Sequence, residues 1–151
     1  MTTKPTSYQL GNRAFVSKDY VTAVEHFIKH CEDFPEDTAK CHTKIAECCL
    51  RSNALSKPQK VHPCATLVFE GNKKGAKKHY RLALEADPNY YSALYGLARL
   101  LPDKSPERFE LLKTAVAAQE TPLAMMDLAD YYRSVLKQHD KAYDLYLQMQ
   151  K

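Results

Sequence analysis

Apolar residues recur along this chain at spacings of three and four, and the period-two alternation of an amphipathic strand is absent. That pattern predicts helix throughout. Apolar stripes and punctuating residues together predict helices over residues 5–17, 20–33, 37–53, 73–86, 89–101, 105–119, 122–136 and 139–150. Pro35, Pro58, Pro63, Pro88, Pro102, Pro106 and Pro122 fall near these boundaries, where a residue without an N–H does least damage. Ser105-Pro106 and Thr121-Pro122 read as helix starts, a hydroxyl cap followed by proline at the first helical position.

A longer period lies over the helical one. Leu10-Gly11 is followed by Ala23 twelve residues after the glycine, Phe27 four later and Pro35 eight later still. The second half of that pattern returns as Ala76, Tyr80, Ala83 and Pro88, and the pattern restarts at Leu97-Ala98. It appears again as Leu128-Ala129, Tyr132, Ala142 and Tyr146. Self-similarity at a period of about 34 residues marks stacked helix pairs, each needing its neighbours to bury its apolar face.

These residues resemble the tetratricopeptide repeat family over roughly 5–53 and 70–150. The resemblance implies an all-α, right-handed α-solenoid of three to four helix-turn-helix repeats forming a single domain over 1–151. The repeats would be 5–36, 37–88, 89–121 and 122–151. Two departures stand out. Ala46, the small residue of the second repeat, lies thirty residues before Ala76 instead of about twelve, so an insertion near 51–68 is expected. In the third repeat, Glu110 stands twelve residues after Ala98, where a small residue is expected. The insertion carries Lys57, Pro58, Lys60, His62 and Pro63, and a long loop inside a helical array is either functional or disordered.

In this family the first helices of the repeats line a concave surface that holds a peptide. The resemblance places Tyr8, Gln9, Asn12, Lys40, Lys44, Glu47, Arg51, Tyr95, Arg99, Met126, Asp127, Asp130 and Arg133 there. The middle of the set is basic, through Lys40, Lys44, Arg51 and Arg99, while Asp127 and Asp130 close it; Tyr8, Tyr95 and Met126 offer apolar contact. A peptide with acidic residues and an apolar anchor would complement such a surface. Family members that grip chaperone C-termini use a clamp of Lys, Asn, Asn, Lys and Arg. Asn12 matches the first asparagine, but Tyr8, Lys44, Ser92 and Gly96 occupy the other places, so no tight binding of that kind is expected.

Other chemistry is sparse. The chain has no glycine-rich phosphate loop, no Gly-x-Ser-x-Gly elbow and no His-Glu-x-x-His helix, and we expect no enzyme and no cofactor. Cys41, His42, Cys48, Cys49, His62 and Cys64 invite a metal reading, but Cys41 and Cys48 are seven apart on a helix. That is the spacing of an apolar stripe rather than of paired zinc ligands, and free cysteine packs as a small hydrophobe, so no metal is expected. Residues 54–81 hold seven Lys or Arg against the single Glu70. Of these, Lys73, Lys74, Lys77, Lys78 and Arg81 form one helical stripe, read first as a solvated outer face and second as a contact for acidic or phosphate groups. No aromatics interleave it, which argues against specific nucleic-acid binding.

The Met1–Pro5 start has no apolar core and no run approaches 18 apolar residues, so neither a secretory signal nor a membrane span is expected. Five cysteines without an export signal suggest reduced thiols and a cytoplasmic location. The reading is a non-enzymatic scaffold or adaptor that binds a protein or peptide partner. Alternatives are a small dedicated chaperone resembling the type III secretion chaperones, or a targeting segment of a larger enzyme. The last predicted helix is apolar around much of its circumference through Tyr143, Leu145, Tyr146, Leu147 and Met149. With no polar capping helix after it, a weak homodimer through that helix, or further chain, is expected.

Overall fold

The computed structural model describes residues 3–51 and 72–151, and every α or β element in them is α. The helices are α1 (Ser7–Val16), α2 (Tyr20–Asp33), α3 (Thr38–Arg51), α4 (Asn72–Ala86), α5 (Tyr91–Leu100), α6 (Pro106–Ala118), α7 (Pro122–Ser134) and α8 (His139–Met149). A short 3-10 turn, Pro35–Asp37, leads into α3. The insertion expected near 51–68 lies, from residue 52 on, outside the described residues, and with it Lys57, Lys60, His62 and Cys64. The chain divides into two compact units, 1–87 with α1 to α4 and 88–151 with α5 to α8.

Local chemistry sets the helix ends. Thr6 and Gln9 form a reciprocal capping box at the start of α1, with Gln9 N–H donating to Thr6 Oγ1 at 3.2 Å and Thr6 N–H to Gln9 Oε1 at 2.9 Å. Ser105 and Thr121 cap α6 and α7, each with proline at the first turn. The α1–α2 turn is tight because Lys18 takes a left-handed conformation, φ 64°. Asp19 N–H then reaches back to Ala14 O and Lys18 N–H to Phe15 O, closing the last turn of α1. Asp19 immediately caps α2 through Thr22 N–H, so one residue ends a helix and the next begins another. Lys137, φ 56°, stands in the corresponding turn between α7 and α8.

In the first unit the helices meet at small residues. Gly11 on α1 lies under the ring of fully buried Phe27 on α2; a β-carbon there would stand 2.7 Å from the nearest ring atom. Ala23, Ala46, Ala76 and Ala83 are likewise fully buried. Cys41, Ile45, Cys48 and Cys49 present one apolar face of α3 and lose all solvent exposure.

The second unit packs Ala98, Leu112 and Leu128 at its centre, with Phe109, Tyr95, Tyr132 and Leu145 around them. The ring of Phe109 stacks on Tyr131, centroids 4.9 Å apart, and meets Tyr132 edge-on at 5.3 Å. Glu110, where a small residue was expected, points outward and pairs with Lys113 at 3.1 Å. The buried positions of α6 are Leu112 and Ala115, spaced three apart like Phe27 and His30 on α2 or Tyr80 and Ala83 on α4. Four residues before Leu112, where α2 and α4 carry Ala23 and Ala76, stands Arg108, whose Nη1–H donates to Ala98 O at 2.8 Å. The third helix pair therefore meets two residues earlier than the spacing predicted, with a guanidinium in place of a methyl group.

The Gly11 crossing yields a direct prediction. Alanine gains about 1 kcal/mol in helix propensity over glycine. Forcing a methyl group against a buried ring costs typically about 1–3 kcal/mol, and Phe27 has nowhere to move. Gly11→Ala is expected to destabilise the chain by up to about 2 kcal/mol in urea unfolding, the steric cost less the propensity gain; a raised midpoint would show that α1 and α2 are not locked at this point.

Candidate functional site

In the first unit the predicted positions, apart from Gln9, whose side chain caps α1, fall on two helical stripes. Tyr8, Asn12 and Phe15 recur along α1, and Lys40, Lys44, Glu47 and Arg51 along α3, each series at helical spacing. The two helices bring cations onto rings. Lys40 Nζ stands 4.0 Å from the centroid of Tyr8, Lys44 Nζ 5.4 Å from that of Phe15, and the Arg51 guanidinium 4.9 Å from the same Phe15 ring. At exposed positions such contacts contribute about 0.5–1 kcal/mol each. Glu47 lies between Lys44 and Arg51 on α3 and pairs with Lys44 at 3.6 Å. Phe15 was absent from the predicted set, although it lies seven residues after Tyr8 and so on the same stripe. Tyr8 is itself held from below by Phe27 and His30, each 5.5 Å away.

The second unit joins α5 to α7. Tyr91 and Tyr95 stack almost parallel, 5.8 Å apart. The Tyr91 hydroxyl is hydrogen-bonded to that of Thr121, and Tyr95 O–H donates to Asp127 Oδ2 at 2.9 Å. Arg99 leans over Tyr95 at 5.7 Å. Burial, helped by the bond to Asp127, pushes the Tyr95 phenol up to about 12, so it stays a donor at neutral pH. A depression of about 340 Å³ is lined by Tyr95, Arg99, Asp103, Arg108, Leu123 and Asp127. A second, of about 250 Å³, shares Asp103, Arg108 and Asp127 with it and continues to Asp130, Tyr131 and Arg133. Asp130 accepts from Tyr146 O–H at 2.7 Å and from Arg133 Nη2–H at 3.5 Å. Met126 is 48% exposed and lines neither depression, whereas Leu123, unforeseen, is 63% exposed at the edge of one. Asp103 and Arg108 were also missed, because only the α6 register reveals them.

The remaining candidates lie apart from these faces. On α4, Lys73, Lys74 and Arg81 are exposed and Lys77 and Lys78 half-buried, opposite the buried Ala76, Tyr80 and Ala83. Lys74, Lys78 and Arg81 are each engaged in interactions of their own. Cys41, Cys48 and Cys49 are free thiols packed in the core, and burial pushes each up to about 12. Cys31 is half-buried, its Sγ 3.5 Å from Thr38 Oγ1. His30 Nε2 bonds Asp37 Oδ2 at 2.8 Å and its ring stacks on Phe34, tying the end of α2 to the start of α3. Among the described residues no group of three His, Cys, Asp or Glu side chains is arranged to hold a metal ion, and no helix is long and apolar enough to cross a membrane.

No protein-family model matches this chain, and no curated protein does.

The cysteine chemistry has a clear readout. Alkylation proceeds through the thiolate, and moving a thiol from 9 to about 12 lowers the neutral-pH thiolate fraction on the order of a thousandfold, before any steric protection. Native protein treated with iodoacetamide should label Cys31 ahead of Cys41, Cys48 and Cys49. Cys41, Cys48 and Cys49 should label only at the rate of unfolding, as peptide mass mapping would show. Comparable labelling of Cys48 and Cys31 in folded protein would mean that α3 does not bury its thiols.

Proposed function

We propose that this chain is a non-enzymatic interaction module built from tetratricopeptide-like helix pairs, which binds an acidic peptide segment of a protein partner. Three features support the repeat reading: the helix boundaries, the fit of Gly11 under Phe27, and the left-handed lysines in the α1–α2 and α7–α8 turns. The observation that carries the binding reading is the convergence of Lys40, Lys44 and Arg51 on Tyr8 and Phe15. A cation resting on a ring is held extended, and the ring offers apolar contact beside the charge. Side chains of Asp or Glu flanked by apolar residues fit that chemistry. The α5–α7 face supplies the apolar edge of Leu123 and a depression of mixed charge beside Tyr95. Three buried thiols suit a reducing compartment, consistent with a cytoplasmic location.

Self-association through α8 is a second reading with its own support. Tyr143 and Leu147, one turn apart, remain 62% and 41% exposed, a stripe that a second copy would cover. Sedimentation velocity across a hundredfold dilution decides it, since a constant monomer leaves the stripe without a role.

The binding reading predicts a charge-dependent affinity. With a fluorescent Asp/Glu-rich peptide selected from a random octapeptide pool, Lys40→Glu/Lys44→Glu should weaken binding at least about tenfold, mostly through the lost attraction. Rising salt should weaken the wild type towards the variant. Undiminished binding by the double variant sinks the α1–α3 face as the site and turns attention to the stripe of Lys73, Lys77 and Arg81.

A further inference from the structure

We propose that His42 and His79 form a tautomer-locked imidazole pair that acts as a proton-sensitive latch on the seam between α3 and α4. The two Nδ1 atoms lie 3.0 Å apart, and the rings stack at 5.2 Å with 24° between their planes. A bond between two like nitrogens requires one to carry a hydrogen and the other a bare lone pair. The environment selects which. His79 has no solvent exposure, and its Nε2 has no partner among the described residues. A buried N–H without an acceptor is costlier than a buried lone pair without a donor. His79 therefore carries its hydrogen on Nδ1 and donates to His42, which carries its own on Nε2, the nitrogen not engaged with His79.

No good place remains for another proton. Added to His79 Nε2, it makes a charged, buried N–H with nothing to receive it. Added to His42 Nδ1, it sets two N–H groups against each other; relief by shifting the hydrogen of His79 to Nε2 again strands a buried donor. The charged groups acting on the pair, among the described residues, are Glu85, which favours a proton on His42, and Lys78, which disfavours one on His79; both are on α4. Burial outweighs Glu85, and the folded chain holds both rings below the ordinary imidazole value, His79 at about 4. A histidine depressed in the folded state costs nothing above about pH 6.5. Below that the unfolded chain takes up protons that the folded chain refuses, so stability falls from about pH 6.5 down towards pH 4. The α3–α4 seam then loosens in mild acid.

The test uses the full chain. Nitrogen-15 spectra of the imidazole rings at pH 7.5 should show His79 protonated at Nδ1 and bare at Nε2, with His42 the reverse. Neither ring should titrate at the ordinary value. Urea unfolding followed by circular dichroism should show the unfolding constant rising between pH 7.5 and pH 5 by roughly 10- to 30-fold more in the wild type than in His79→Phe. A protonated Nε2 on His79, or titration of both rings near 6.5, overturns the proposal. Equal pH dependence in the two proteins does so as well; if His79→Phe does not fold, the wild-type spectra decide alone.

Discussion

How closely one helix may approach the next is set by the smallest side chain at their crossing, and in the first unit that side chain is a hydrogen atom. Gly11 allows the backbone of α1 to settle onto the ring of Phe27, and Phe27 in turn supports Tyr8 from beneath. Tyr8 is the platform under Lys40. A core contact thus fixes the height of a surface aromatic, which fixes where a positive charge is held. Packing density makes the chain of dependence stiff: a fully buried ring has no free volume into which to retreat.

The second unit answers the same geometric demand differently. Where α2 and α4 present Ala23 and Ala76, α6 presents Arg108, too long to sit between crossing backbones. It turns along the crossing instead and satisfies the Ala98 carbonyl near the end of α5. Its guanidinium then becomes part of the wall of both depressions on the α5–α7 face. One substitution relative to the repeat pattern thus changes a packing position into a polar surface position and adds a cation beside Arg99, Asp103 and Asp127.

Two helix starts were legible in the sequence from their caps, whereas the Thr6/Gln9 capping box of α1 went unread and that helix was placed two residues early. Ser105-Pro106 and Thr121-Pro122 mark α6 and α7 to the residue. The start of α5 was placed two residues early, because Tyr90 caps it with no side-chain bond and leaves no signal in the composition. The α1–α3 face was legible as two stripes, one on each helix. That Phe15 is the ring on which Lys44 and Arg51 meet was not, since convergence depends on how the two helices pack rather than on either stripe. The α6 register was misplaced by a count of twelve residues that the fold shortens to ten. His42 and His79 are 37 positions apart, on either side of an insertion whose length hides the repeat spacing, so nothing in the string of residues pairs them.

Phe15 has an unusual position in this arrangement: two cations seven residues apart on α3 rest on a single ring. They are partial substitutes for each other. If one is lost, the other keeps its hold on the ring and is relieved of a like-charged neighbour, so losing both should cost more than the two single losses added together. Loss of the ring releases both at once. Replacing Lys44 or Arg51 alone therefore leaves one cation seated on the ring, whereas replacing Phe15 leaves neither so placed.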